Sequence, residues 1–290
     1  MARISAGIVN YGGYDEVVRA VQSVFAHTSQ PLDLYLIDNA SPDGSGKQLA
    51  ETAFDRPVEV LCLPENLGFG KGHNAVLDRL TSEYHFVLNP DVYIEEDTLV
   101  QLCGWMDEHP DVVMATPQLY FPEGGIQHLP RRIPNVLSLV ARQVPGLGFL
   151  QGFDRHYTMQ DEDLTQVQDI QFCTGSFFVM RTETLRAIGG FDPDYFMYVE
   201  DADITRRAMA HGKVMYWPGT YVYHSWHRAP TRRLRPFVMQ LRSMFLYFCK
   251  WGFCFGFGKK AECLPCNRQP ECPHRAARHL RSKNKHRPHP

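Results

Sequence analysis

Tyr84-His85-Phe86-Val87-Leu88-Asn89-Pro90-Asp91 reads as a short, largely apolar strand that ends abruptly in an amide, a proline and a carboxylate. In an open parallel sheet, ligands bind beyond the carboxyl ends of the strands, so polar residues just past a strand are the first candidates for a site. Pro90 fixes the backbone ahead of Asp91 and holds one carboxylate at the mouth of a cleft. Such a carboxylate suits a hard divalent cation, Mg2+ or Mn2+, which takes one or two protein carboxylates and fills its other positions with phosphate oxygens and water. By itself, Asp91 serves equally well to cap the turn before Glu95-Glu96-Asp97.

On either side of this run, strand-like and helix-like segments alternate, which predicts a parallel sheet covered by helices. Residues 4–9 read as a strand, 14–27 as a helix with Val17, Val18, Val21, Val24 and Phe25 on one face, and 32–37 as a second strand. A further helix, a strand over 58–63, a helix over 68–80, a helix over 98–108 ended by His109-Pro110, and a strand over 112–115 continue the pattern. From 117 to 169 it dissolves into Pro, Gly and mixed charge, as expected of a long loop region that covers a site. Strand 177–181, a short helix over 182–188, a helix over 202–211, and strands 214–217 and 221–224 around Pro218-Gly219 complete the reading.

The other strand ends are polar too. The first gives Asn10-Tyr11 and the second Asp38-Asn39-Ala40-Ser41-Pro42-Asp43-Gly44-Ser45. The third leads into Glu65-Asn66-Leu67-Gly68-Phe69-Gly70-Lys71-Gly72-His73-Asn74, whose glycines permit close backbone approach to a ligand. Phe196-Met197-Tyr198-Val199-Glu200-Asp201-Ala202-Asp203 delivers three carboxylates to a helix start. One acid is enough to cap a helix, so the crowding points to chemistry at Glu200 and Asp201. His224 ends the last strand and offers an imidazole to a metal held by Asp91, or to a diphosphate, with His227 as second choice.

In this order, over residues 4 to about 250, the motifs resemble those of family 2 glycosyltransferases with a GT-A fold, and within them a bacterial rhamnosyltransferase-like branch. Gly189-Gly190-Phe191-Asp192 and Val222-Tyr223-His224 belong to the same set. The resemblance implies an α/β, Rossmann-like, mostly parallel sheet with helices on both faces. It also implies inverting transfer of a sugar from a nucleoside-diphosphate sugar, with dTDP-L-rhamnose favoured. The acceptor would be a glycan or a polyprenyl-diphosphate-linked sugar in cell-surface polysaccharide synthesis. Asp201 is the implied catalytic base. Asn10, Tyr11, Asp38, Asn39, Asn66, Gly68, Lys71, Asn89 and Asp91 are assigned to the nucleotide-sugar, and Gly175, Glu200 and Asp203 to the acceptor side. Asp91, with His224, holds the divalent cation; Asn89 stands where the family's Asp-X-Asp motif has its first acid, keeping an oxygen ligand but removing one charge. A sugar-phosphate nucleotidyltransferase and an inactive, membrane-associated binding protein remain as alternatives.

The chain has 290 residues, 44% of them hydrophobic, which suits one large domain and an appendage. Its net charge of −2 conceals an asymmetry, since 15 of the 30 Lys and Arg lie beyond His227, where Glu262 and Glu271 are the only acids. This predicts a catalytic domain over 1–230, an amphipathic membrane-interface helix over 231–260 and a basic, unstructured tail over 261–290 that meets an anionic membrane. Phe237, Leu241, Met244, Phe245, Phe248, Trp251 and Phe255 supply the apolar spacing. Arg242 and Lys250 argue against a membrane span, and a helix docked on the catalytic domain is the alternative. Cys263-Leu264-Pro265-Cys266, Cys272 and His274 have the spacing of a small zinc site, set against a disordered tail. Cys62, Cys103 and Cys173 read as small buried hydrophobes. The absence of an apolar leader predicts a cytoplasmic location on the inner membrane face, and no motif points to nucleic acid.

Overall fold

The computed structural model describes residues 2–143, 151–225, 234–253 and 255. In chain order the elements are β1 (Ile4–Asn10), α1 (Tyr14–His27), β2 (Leu32–Asp38), α2 (Ser45–Glu51), β3 (Val58–Cys62), α3 (Phe69–Asn74), β4 (Tyr84–Leu88), β5 (Val92–Tyr93), α4 (Thr98–Glu108) and β6 (Val112–Tyr120). They continue through β7 (Ile126–Gln127), α5 (Val136–Gln143), α6 (Gln151–Tyr157), β8 (Gln168–Asp169), β9 (Phe177–Arg181), α7 (Thr182–Ala187), α8 (Glu200–Ala208), β10 (Lys213–His224) and α9 (Leu234–Trp251).

The ten strands form one sheet in the order β3-β2-β1-β4-β9-β6-β10-β5, with β7 and β8 attached to β6 and β10. β3, β2, β1 and β4 are parallel neighbours, as are β6 and β10, whereas β9 enters antiparallel between β4 and β6. The sheet is therefore parallel in its first half and mixed in its second. Helices cover both faces because the strands bury both. Ile4, Ala6 and Ile8 of β1 pack with Val17, Val21 and Val24 of α1 and with Leu99, Leu102 and Met106 of α4. On the other face, Val9, Ile37, Val87 and Phe178 meet Phe191, Leu185 of α7, and Ile204 and Ala208 of α8.

Several expectations change. The helix over 68–80 is only α3 plus a 3-10 turn at Leu77–Arg79; α3 itself holds Gly70 and Gly72, which fit tightly against Phe191 and Val9. The two strands expected around Pro218-Gly219 are one strand, β10, whose register against β6 shifts between Tyr216 and Tyr221. The irregular region holds β7, α5, α6 and β8. Cys62 is exposed, unlike Cys103 and Cys173, since β3 is an edge strand. The proposed zinc residues and His227 lie outside the described residues.

α9 docks on the body of the fold. Met244, Tyr247 and Phe248 join Tyr195, Ala202, Tyr157 and Leu139 in a third apolar cluster. Ser243 Oγ donates to the Met197 carbonyl at 2.7 Å, and Lys250 Nζ pairs with Asp192 at 2.6 Å and Asp203 at 2.7 Å. Phe237, Val238, Leu241 and Phe245 remain exposed along the helix. Among the described residues, no helix is long and apolar enough to cross a membrane.

Candidate active site

The parallel register sets Asn10 opposite Asp38 at the carboxyl ends of β1 and β2. Asn10 Nδ2 lies 3.0 Å from Asp38 Oδ1 and 2.9 Å from Ser45 Oγ, and Asp38 Oδ2 accepts the Ser41 N–H at 3.2 Å. Asp38 is thus a buried organiser of the loop, seated on Gly46, where a Cβ would fall 2.1 Å from its Oδ2. Asn39 carries the link onward, donating to the Gly68 carbonyl at 3.0 Å and accepting the Leu67 N–H at 2.8 Å. Asn66 Oδ1 accepts the Gly68 N–H at 2.9 Å. Gly68 has φ +85°, and a Cβ there would lie 2.0 Å from the Phe196 carbonyl oxygen, which accepts the Phe69 N–H at 3.1 Å. The glycine loop is therefore clamped to the loop that carries the acids. Tyr11 stands exposed at the rim, whereas Lys71 reaches away from the Asn10–Asp38 cluster into a cleft beside α9.

Across the same edge, His224 Nε2 lies 3.3 Å from Asp91 Oδ1, with both side chains largely buried. Gln127 fixes the imidazole. Its Nε2 donates to the His224 carbonyl at 2.6 Å, which leaves its Oε1 to accept from His224 Nδ1 at 2.9 Å. With the amide so placed, Nδ1 faces its oxygen and Nε2 is turned to the Asp91 carboxylate. Two acceptors at that distance fit a divalent cation shared between them, and an oriented imidazole is how proteins hold one. Among the described residues, no group of three or more His, Cys, Asp and Glu converges as a metal cluster. Asp91 and His224 are therefore two residues that could hold a divalent cation together, a number typical where a cation takes its other ligands from phosphate and water.

The acids divide by environment. Glu200 is buried, and that burial, with the Asp201 charge added, pushes its carboxyl up to about 8. Asp201 is partly exposed at the first turn of α8; burial raises it too, opposed by the N–H of Gly175 to Oδ2 at 3.1 Å, the N–H of Ala202 to Oδ1 at 3.0 Å, and the field of Arg131. Burial thus pushes Glu200 the further toward its protonated form, whereas the two N–H groups on Asp201 favour its carboxylate and work against the rise. Tyr198 and Val199, immediately before them, adopt φ +71° and +67°. Left-handed backbone at a β-branched residue costs about 1–3 kcal/mol and persists where the surroundings impose it. Asp203 is not brought to this site: it is fully buried, accepting from Arg207 Nε at 2.8 Å, Lys250 Nζ at 2.7 Å and Trp251 Nε1 at 2.8 Å.

A short chain of contacts joins the halves. Gly175 donates to Asp201, the next residue's carbonyl accepts the Asn89 N–H at 2.9 Å, and Asn89 lies two residues before Asp91. Gln127 and Arg131, which take part on either side, carry no sequence signal, since both fall in the stretch without periodicity. His73, part of the glycine motif, packs its ring edge-on to Phe69 at 4.7 Å and belongs to the core.

A mixed sheet with a glycine loop, an Asp–His pair and two unlike carboxyls gathered at one edge describes an enzyme of sugar transfer. The chain belongs to the glycosyl transferase family 2, whose model matches residues 5–189. It is 26% identical over 235 residues to an N-acetylglucosaminyl-diphospho-decaprenol L-rhamnosyltransferase of Mycobacterium tuberculosis, covering 76% of this chain and 75% of that one. It is 24% identical over 194 residues to the rhamnosyltransferase WbbL of Escherichia coli, covering 63% and 70%. A mannosyltransferase of Pyrobaculum calidifontis, solved with GDP-Man and Mn2+, shares the fold with a TM-score of 0.56 at 17% identity, over 86% of this chain and 64% of that one.

Proposed function

We propose that the chain transfers a sugar, with inversion at the anomeric carbon, from dTDP-L-rhamnose to a polyprenyl-diphosphate-linked acceptor in cell-surface polysaccharide synthesis. The two curated relatives are named for rhamnosyl transfer, and the mycobacterial one for a diphospho-decaprenol acceptor, which supports both choices. The observation that carries the reading is the pair of adjacent carboxyls in unlike settings, with Asp201 held by two backbone N–H groups beside the buried Glu200.

In the reaction the acceptor oxygen bonds to the anomeric carbon while the bond from that carbon to the diphosphate oxygen breaks. The acceptor proton passes to Asp201, and the electron pair leaves with the diphosphate. Asp91 and His224 Nε2 would hold a divalent cation, which supplies positive charge to the departing diphosphate. Asn10, Asp38, Asn39, Asn66, Gly68 and Asn89 wall the nucleotide side, Tyr11 stacks on the base, and Gly175 and Glu200 border the acceptor. Residues 1–230 are the catalytic domain in this reading. The exposed face of α9, with the basic residues beyond His227, rests on the anionic inner face of the cytoplasmic membrane.

Release of nucleoside diphosphate across a panel of dTDP-, UDP- and GDP-sugars, with and without Mg2+ or Mn2+, tests this. Turnover should be highest with dTDP-L-rhamnose, and Asp201→Asn should lower it about 10³-fold with nucleotide affinity nearly intact. Retained turnover in that variant removes Asp201 from the mechanism, and no release from any donor sinks the transferase reading.

A further inference from the structure

A cleft of about 360 Å³ lies between α3, the loop before the acids, and α9, with Lys71, Pro193, Phe196, Met239, Arg242 and Leu246 among its walls. Two cations enter it from two different elements. Among the described residues, neither Lys71 nor Arg242 makes an ion pair or a side-chain hydrogen bond, although most other basic side chains of the catalytic domain do so. Asp194 is the one carboxylate on the wall, and neighbouring Asp192 is already paired with Lys250 at 2.6 Å. The cleft therefore keeps an excess of positive charge.

Its two ends differ in character. One adjoins the reaction centre, because Phe196 accepts from Phe69 at the start of α3 and lies four residues before Glu200. The other runs onto α9, where exposed Val238 and Phe245 lie one turn to either side of Arg242 and exposed Leu241 precedes it. A small polar anion fits such a cleft only in part. An amphiphile with an anionic head and an apolar chain satisfies the cations, the apolar walls and the stripe together. The chain's own terminal residues are poor occupants, since 256–290 are strongly basic.

We infer that this cleft binds the diphosphate of the lipid-linked acceptor, with Lys71 and Arg242 on its oxygens and the prenyl chain running along Val238, Leu241 and Phe245. The inference rests on the transferase reading above and names the acceptor's seat within it. Lys71 is thereby an acceptor residue, where sequence assigned it to the nucleotide.

The test is steady-state kinetics of the full chain on a polyprenyl-diphosphate-linked sugar and on the same sugar carried by a short neutral alkyl group. Lys71→Ala and Arg242→Ala should each raise the KM for the diphosphate acceptor about tenfold, the loss of one charge-assisted contact. Arg242→Lys should recover most of it. The donor KM and the KM for the neutral acceptor should stay within twofold. An unchanged diphosphate-acceptor KM, an equal loss on the neutral acceptor, or a rise in the donor KM with Lys71→Ala overturns the assignment. Cosedimentation with vesicles of anionic phospholipid lacking acceptor separates a phospholipid headgroup as the source: Lys71→Ala should bind them like wild type, and weakened binding overturns the proposal. Wild-type chain inactive on every acceptor points instead to failure of the transferase reading.

Discussion

Gln127 acts on the proposed metal pair through His224. Its amide is oriented by the His224 carbonyl, so its oxygen holds the imidazole proton on Nδ1 and turns Nε2 toward Asp91. Gln127→Leu keeps the bulk and loses that control. Calorimetry should show Mn2+-dependent nucleotide binding about tenfold weaker, with metal-free binding unchanged; equal binding in both conditions would dismiss the role. Glu200 makes a prediction about pH. In the fold its carboxyl is pushed up to about 8, against 4.5 as the ordinary value. Between those values the folded chain binds more protons than the unfolded one, so this contribution to stability is full below the ordinary value and is lost as pH rises through the folded one. Glu200→Gln removes that loss. Variant and wild type should melt together near pH 4, and the variant a few degrees higher near pH 8.5. Parallel melting curves across the range would show that Glu200 ionises freely. Asp91, Asp201 and His224 stood out in the sequence because each closes or opens a strongly patterned element, and the structure sets Asp91 beside His224. Asp203 was misjudged by adjacency: on a helix, two residues separate side chains by about 200°, so it turns from Asp201 into the core. Gln127 and Arg131 were invisible, the one placed by a two-residue strand folded back on β6 and the other by a single bridge to Phe172.

Gly68 holds two elements in register. Its positive φ and the Phe196 carbonyl, 2.0 Å from where a Cβ would lie, exclude any side chain without moving backbone. Gly68→Ala should cost about 3 kcal/mol in denaturant unfolding and separate α3 from the acid loop. A cost under about 0.5 kcal/mol would mean that the clamp yields easily. Elements with their own period were readable: α1, β4, α4 and β9 fall where apolar spacing and end signals put them. β5, β7 and β8, two residues each, owe their form to β10 and β6, and no local pattern announces a strand that short. The antiparallel entry of β9 was equally hidden, because a buried strand reads the same in either direction.

At the scale of the molecule, charge and apolar surface coincide on α9. The sequence favoured a helix lying in the membrane interface over one docked on the domain; the docked face is present, and the stripe at Phe237, Val238, Leu241 and Phe245 faces outward. Flotation with vesicles rich in anionic lipid should recover the full chain. Leu241→Glu with Phe245→Glu should abolish recovery without lowering the melting temperature, since both side chains are exposed; undiminished flotation would assign binding elsewhere. α8 carries the proposed base Asp201 at its second residue and, still within its first turn, buries Asp203, which grips Lys250 and Trp251 of α9. A single turn of helix is stiff, so the two ends of this linkage pivot as one piece. A surface that took up α9 would therefore set the height and tilt of Asp201 above it, like a rudder fixed to its tiller.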